Sequence, residues 1–139
     1  MTGATSLPAV PLGPVSRAAL ATYLELSGDE NPVHVDAALA AAAGLADTPV
    51  PGLMAMALIE PAARQWFGTD AIVDLHLTFT APVFPDLPLV AEARPVGSEG
   101  ELHSFRVLLH AGGRIVAMGV ATVAGAAAGT ASQGPGASR

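Results

Sequence analysis

The hydrophobic pattern changes period once along this chain, at Gly68. Before it, apolar residues recur at helical spacing; after it, they alternate. Between Ser16 and Leu26 the apolar stripe is Ala19, Leu20, Tyr23, Leu24 and Leu26, behind a serine suited to cap a helix. Val35 to Gly44 predicts a short alanine-rich helix, capped by Asp36 and stopped by Gly44, because alanine costs least inside a helix and glycine ends one readily. Thr48-Pro-Val-Pro-Gly52 is a rigid turn. It leads into Leu53 to Phe67, apolar on nearly every face, which predicts a buried helix with a bend or restart at Pro61.

From Ala71 to Thr80, Val73, Leu75, Leu77 and Phe79 alternate with Asp74, His76, Thr78 and Thr80, the period of a strand with one face buried. Three further strands are predicted at Leu87 to Arg94, Leu102 to His110 and Arg114 to Val123. Val96 to Gly100 reads as a turn between the first two, and Ala111-Gly-Gly113 as a tight hairpin between the last two. Pro82, Pro85 and Pro88 predict a bend or crossing after the Ala71–Thr80 strand, and Leu7 to Leu12 a short edge strand. Helices first and antiparallel strands after define an α+β class in which a sheet wraps one long helix. One domain, residues 7–124, is expected, with residues 1–6 and 125–139 as mobile tails because they are rich in Gly, Ala, Ser and Thr and have little to bury.

Composition narrows the possibilities. A chain of 139 residues, 51% hydrophobic, is long enough for one proper core. Six Lys+Arg against twelve Asp+Glu give a formal charge of −6. No basic patch is present to track phosphates, which argues against nucleic-acid binding. The absence of cysteine removes disulfides and thiolate chemistry. The opening residues lack a basic segment followed by an apolar one, so no secretory signal is expected. Leu53 to Phe67 is too short to span a bilayer. Cytoplasmic residence is the default expectation.

Chemistry concentrates in one decapeptide, Ser27 to Asp36, which reads S-G-D-E-N-P-V-H-V-D. Pro32 disfavours helical geometry at Asn31. The segment is therefore predicted to be a turn, from which Asp29 and His34 can point into one pocket as an acid/base pair. The bland alternative is an Asx-turn beside a surface histidine.

Tyr23, Ser27-Gly28-Asp29, Asn31-Pro32-Val33-His34 and Asp36, followed by the alanine-rich stretch and the glycine-containing turn into an apolar helix, resemble the hydratase motif of the MaoC-like, (R)-specific enoyl-CoA hydratase and dehydratase family. The resemblance covers Ser16 to Val123. It implies a hot-dog fold, an antiparallel sheet curled round a long central helix, with the motif on an overhanging segment. It also implies syn hydration or dehydration of a 2-enoyl or 3-hydroxyacyl thioester carried on coenzyme A or the phosphopantetheine of an acyl carrier protein, with no metal or redox cofactor. Asp29 and His34 then match the catalytic pair, Asn31 the amide that holds the turn, and Gly52 the glycine whose N–H faces the thioester carbonyl. Leu53 and Met54 join these as candidate substrate contacts. A backbone donor at a helix N-terminus is physically suited to hold charge on that carbonyl.

Two departures from the family pattern stand out. Pro51 replaces a histidine before the glycine, and Glu60 occupies a position where some members carry a small hydroxyl residue. Three readings follow: a hydratase or dehydratase, a hot-dog acyl thioesterase using Glu60, and a non-catalytic acyl-binding subunit beside an active partner. The set Asp29, Asn31 and His34 favours the first. His76, His103 and His110 read as surface or satisfied core residues, Met54, Met56, Trp66 and Phe67 as core or acyl-pocket lining, and Arg17, Arg64, Arg94, Arg106 and Arg114 as candidates for the carrier's phosphates. A sheet curled round one helix leaves an unpaired edge, which predicts a homodimer, or a heterodimer with a hot-dog homologue.

Overall fold

A computed structural model describes residues 5–68 and 71–125. The expected mobile tails thus lie outside the described residues except for their inner ends. In chain order the elements are β1 (Val10–Pro11), α1 (Arg17–Ser27), a 3₁₀ turn (Pro32–His34), α2 (Ala37–Ala42), α3 (Gly52–Phe67), β2 (Ile72–Phe79), β3 (Leu89–Glu99), β4 (Leu102–Ala111) and β5 (Arg114–Ala124). The strands form one sheet in the order β1-β3-β4-β5-β2, every adjacent pair antiparallel.

The local signals in the sequence hold. The Ser16 hydroxyl caps α1 by accepting from the Ala19 N–H, and Gly28 ends that helix in the left-handed region at φ 70°. Asp36 caps α2 through the N–H groups of Ala38 and Leu39. Gly112 and Gly113, both at positive φ, close the β4–β5 hairpin.

The sheet curls round α3, which buries Met54, Ala55, Ile59, Ala62, Ala63 and Trp66. Against them lie the inward residues of the strands, among them Leu89, Ala91, Val107, Leu109, Ala117 and Ala121. At the far end of α3 the Trp66 indole N–H donates to the Pro8 carbonyl at 2.7 Å, tying the helix to the β1 segment. This is the hot-dog arrangement expected of the chain.

Four expectations need correction. The helix expected to be buried is covered on one side only: Leu53 is 71% exposed, and Ala57, Glu60, Pro61 and Arg64 share the open side. It also runs unbroken through Pro61, whose missing N–H falls on that open side, where water can serve the unpaired carbonyl. Val73 faces solvent, because the β2–β5 register shifts between Ile72 and Asp74 and breaks the alternation there. Finally, Val96 to Glu99 is not a turn. Strand β3 continues through it after a register shift between Pro95 and Gly97, so that Gly97, Ser98 and Glu99 pair with Ser104, His103 and Leu102. The reversal falls instead at Gly100 and Glu101.

Candidate active site

The Ser27–Asp36 segment hangs between α1 and α2, and its turns are built by its own polar side chains. The Ser27 hydroxyl accepts from the Asp29 N–H at 3.3 Å, Asp29 Oδ1 from the Asn31 N–H at 3.1 Å, and Asn31 Oδ1 from the Val33 N–H at 3.2 Å. Asn31 is thereby the N-cap of the Pro32–His34 turn.

Asp29 has a second oxygen free of this work. Its Oδ2 lies 3.5 Å from His34 Nε2. The Asx-turn and the acid/base pair are therefore compatible: one carboxylate oxygen shapes the turn and the other faces the imidazole. The His34 side chain is only 11% exposed, whereas that of Asp29 is 34% exposed.

The other imidazole nitrogen fixes the ring. His34 Nδ1 lies 2.7 Å from the Pro49 carbonyl oxygen. A carbonyl only accepts, so Nδ1 must carry the proton and, in the neutral ring, Nε2 presents its lone pair toward Asp29. Two acceptors 3.5 Å apart suit a water about 2.8 Å from each, which donates one proton to either side.

Pro49 is three residues before Gly52, the first residue of α3. The short segment between them is held by the Val50 N–H, which donates to the Val83 carbonyl at 2.7 Å. One stiff stretch thus orients the imidazole with a carbonyl and begins the helix, whose first N–H groups receive no side-chain cap among the described residues. Pro51 stands at the N-cap of α3 and provides no side-chain cap. Beside Gly52 the ring of Phe79 comes so near that a Cβ on the glycine would lie 3.4 Å from it. An open cleft of about 430 Å³ is lined here by Val50, Gly52, Phe79, Ala81 and Val83. A second cleft, about 190 Å³, touches the other side of the motif at Leu20, Leu24, His34 and Thr48.

Asp29, Asn31 and His34 are brought together, Gly52 lines the separate cleft beside Phe79, and the other sequence-derived candidates scatter. Leu53 points to solvent and Met54 belongs to the core. The Glu60 carboxylate is engaged by Arg64 one turn on. Arg17 holds Asp47 at 2.5 Å and Asp86 at 3.5 Å, near the rim of the motif. Its hydrogen bond holds the Asp47 carboxyl below the usual range, helped by the Thr48 N–H. Sequence reasoning missed Pro49 and Phe79. The stiff proline turn was legible, but nothing local assigns its carbonyl to a histidine fifteen residues earlier.

Comparisons with known proteins bear on the family and the fold. The family model described as MaoC like domain matches residues 5–107. The chain belongs to that family. Among solved structures, the (R)-hydratase from A. caviae involved in PHA biosynthesis superposes with a TM-score of 0.74 at 21% identity, over 89% of this chain and 96% of that one. A MaoC-like dehydratase superposes with a TM-score of 0.81 at 22% identity; 91% of this chain covers only 41% of that longer one. The ChsH1-ChsH2 complex from Mycobacterium tuberculosis gives 0.75 at 18% identity, over 89% and 98% of the two chains. At these identities the likeness is one of fold. No curated protein matches the chain.

Proposed function

We propose that this protein is a hydratase or dehydratase acting on 2-enoyl or 3-hydroxyacyl thioesters, with Asp29 and His34 as its acid/base pair. The observation that carries the reading is the 3.5 Å approach of Asp29 Oδ2 to a His34 Nε2 whose ring is held by Pro49. Family membership and the fold of an (R)-hydratase support it. In hydration, a water between the two groups adds its oxygen to C3 of the enoyl chain while one of its protons passes to the pair. Electrons displaced from the C2–C3 bond load the thioester carbonyl, and a proton returned to C2 discharges it. One water enters and no net proton is consumed.

The Gly52 N–H, at the positive end of a 16-residue helix and without a side-chain cap, is the donor suited to the charged carbonyl oxygen. Coenzyme A or a carrier-protein phosphopantetheine is the expected carrier, and no cofactor takes part in the chemistry. Glu60, on which the alternative thioesterase reading rests, pairs with Arg64 on the exposed side of α3. A homodimer is part of the proposal, with a heterodimer as its alternative; the ChsH1-ChsH2 structure is of a complex. No helix among the described residues is long and apolar enough to cross a membrane, and cytoplasmic residence belongs to the same proposal.

Loss of the ultraviolet band of crotonyl-CoA tests the activity. Asp29→Asn and His34→Ala are expected to lower turnover by roughly 10²–10⁴-fold while circular dichroism stays unchanged. Folded variants with parental rates on every enoyl thioester that the parent hydrates would exclude the pair.

A further inference from the structure

The outward face of the sheet carries a second concentration of charge. Arg94 on β3 and Arg106 on β4 are direct partners in the antiparallel register. Both are exposed, alternating with the buried Ala93, Phe105 and Val107. Residues so placed have Cβ atoms about 4.5–5.5 Å apart, and like charges there repel. Neither guanidinium has a carboxylate within salt-bridge reach among the described residues, whereas Arg17 and Arg64 both do. The nearest acid along this face, Glu92, is engaged by His110 at 3.2 Å. In a chain of formal charge −6, the two guanidinium groups are a local excess of positive charge over the single carboxylate of Glu92 beside them. It is also shaped: Arg94 and Arg106 line a cleft of about 150 Å³ with Ser6, Leu7, Ala9, Leu108 and the carboxylate-bearing Glu92, where the β1 segment forms the rim of the sheet.

We infer that Arg94 and Arg106 form a binding site for a phosphate-class oxyanion, held between the two guanidinium forks in the cleft beside the β1 segment. Guanidinium groups recognise phosphate through paired N–H donors, and an anion between them replaces repulsion with attraction to both. Two sources supply such an anion: the nucleotide phosphates of coenzyme A, if the thioester reading above holds, or an independent phosphorylated small molecule.

Inorganic pyrophosphate is the probe, added to the full chain and compared with sodium chloride at equal ionic strength. Pyrophosphate is expected to raise the melting temperature by about 2 °C or more beyond the salt control at saturation. The double variant Arg94→Gln, Arg106→Gln is expected to fold, to melt no lower than the parent at low salt because the repulsion is gone, and to lose the pyrophosphate response. A response equal to that of sodium chloride, or one retained by the double variant, overturns the site. Kinetics separate the sources. A KM raised about three- to tenfold for crotonyl-CoA, but unchanged for crotonyl-pantetheine, which lacks phosphate, assigns the site to the carrier. Unchanged KM for both, with the pyrophosphate response lost, assigns it to an independent ligand. The pyrophosphate test needs no activity, so it can fail while the hydratase reading stands, and the reverse.

Discussion

The Pro49 carbonyl oxygen lies 2.7 Å from His34 Nδ1, and this contact decides which imidazole nitrogen can act as a base. In the neutral ring the proton must reside on Nδ1, leaving Nε2 to face Asp29. Long-range proton–nitrogen NMR of the neutral ring is expected to show the Nδ1–H form. A predominant Nε2–H form would remove the ring from the role of base in this geometry.

A β-branched side chain tests Gly52. A Cβ there would touch the Phe79 ring at 3.4 Å, and the branches of valine crowd the space in front of the helix N-terminus. Gly52→Val is expected to lower kcat/KM by 10²-fold or more, on the order of removing one oxyanion donor, with Asp29 and His34 undisturbed. Parental kinetics in a folded Gly52→Val protein would take the glycine out of the site.

Gly119 is required by the fold rather than by chemistry. A Cβ at this position would lie 1.7 Å from the backbone oxygen of His76, where β2 closes against β5. Gly119→Ala is expected to cost about 3 kcal/mol or more, since backbone must move to make room. Gly97→Ala is the control: its Cβ meets nothing and its φ is ordinary, so a change within about 0.5 kcal/mol is expected. Urea midpoints compare the two, and equal effects would contradict the close approach of the strands.

Asp47 couples stability to acid. Arg17 holds its carboxyl below the ordinary range, so the folded state releases that proton more readily than the unfolded chain does. The contribution is fully present above the ordinary carboxylate range and is lost as pH falls through the lowered value. Screening keeps it small because the pair is exposed. Asp47→Asn should therefore lower stability slightly at neutral pH, where the contribution is present, and flatten the acid limb, so that parent and variant converge at low pH. An identical acid limb in parent and variant would show that Asp47 does not contribute.

The free edge of β2 predicts association. This strand ends the sheet, Val73 on it is 61% exposed, and the open side of α3 presents Leu53. Light scattering is expected to give twice the 13.8 kDa chain mass at micromolar concentration. A fully active protein of one chain mass would sink both the homodimer and the heterodimer.

Much of this molecule is written locally. The Ser16 and Asp36 caps, the Gly112–Gly113 hairpin and the Asx-turn at Asp29 each need only neighbours a few residues away, and short-range hydrogen bonding or left-handed geometry makes residue type nearly sufficient. The Asp29 and His34 pair was legible for the same reason, since five residues and one proline bring the two together. Tertiary structure decided the rest. Pairing with Leu102 to Ser104 turned the turn-like Gly97 and Ser98 into strand, because ladder hydrogen bonds outweigh a weak local preference. The curl of the sheet chose which side of α3 is covered, something its few polar residues, Glu60, Arg64 and Gln65, mark only in the second half of the helix. The ring of Phe79 over Gly52 and the Pro49 carbonyl on His34 join segments by approach through space, and only the packed fold sets those distances.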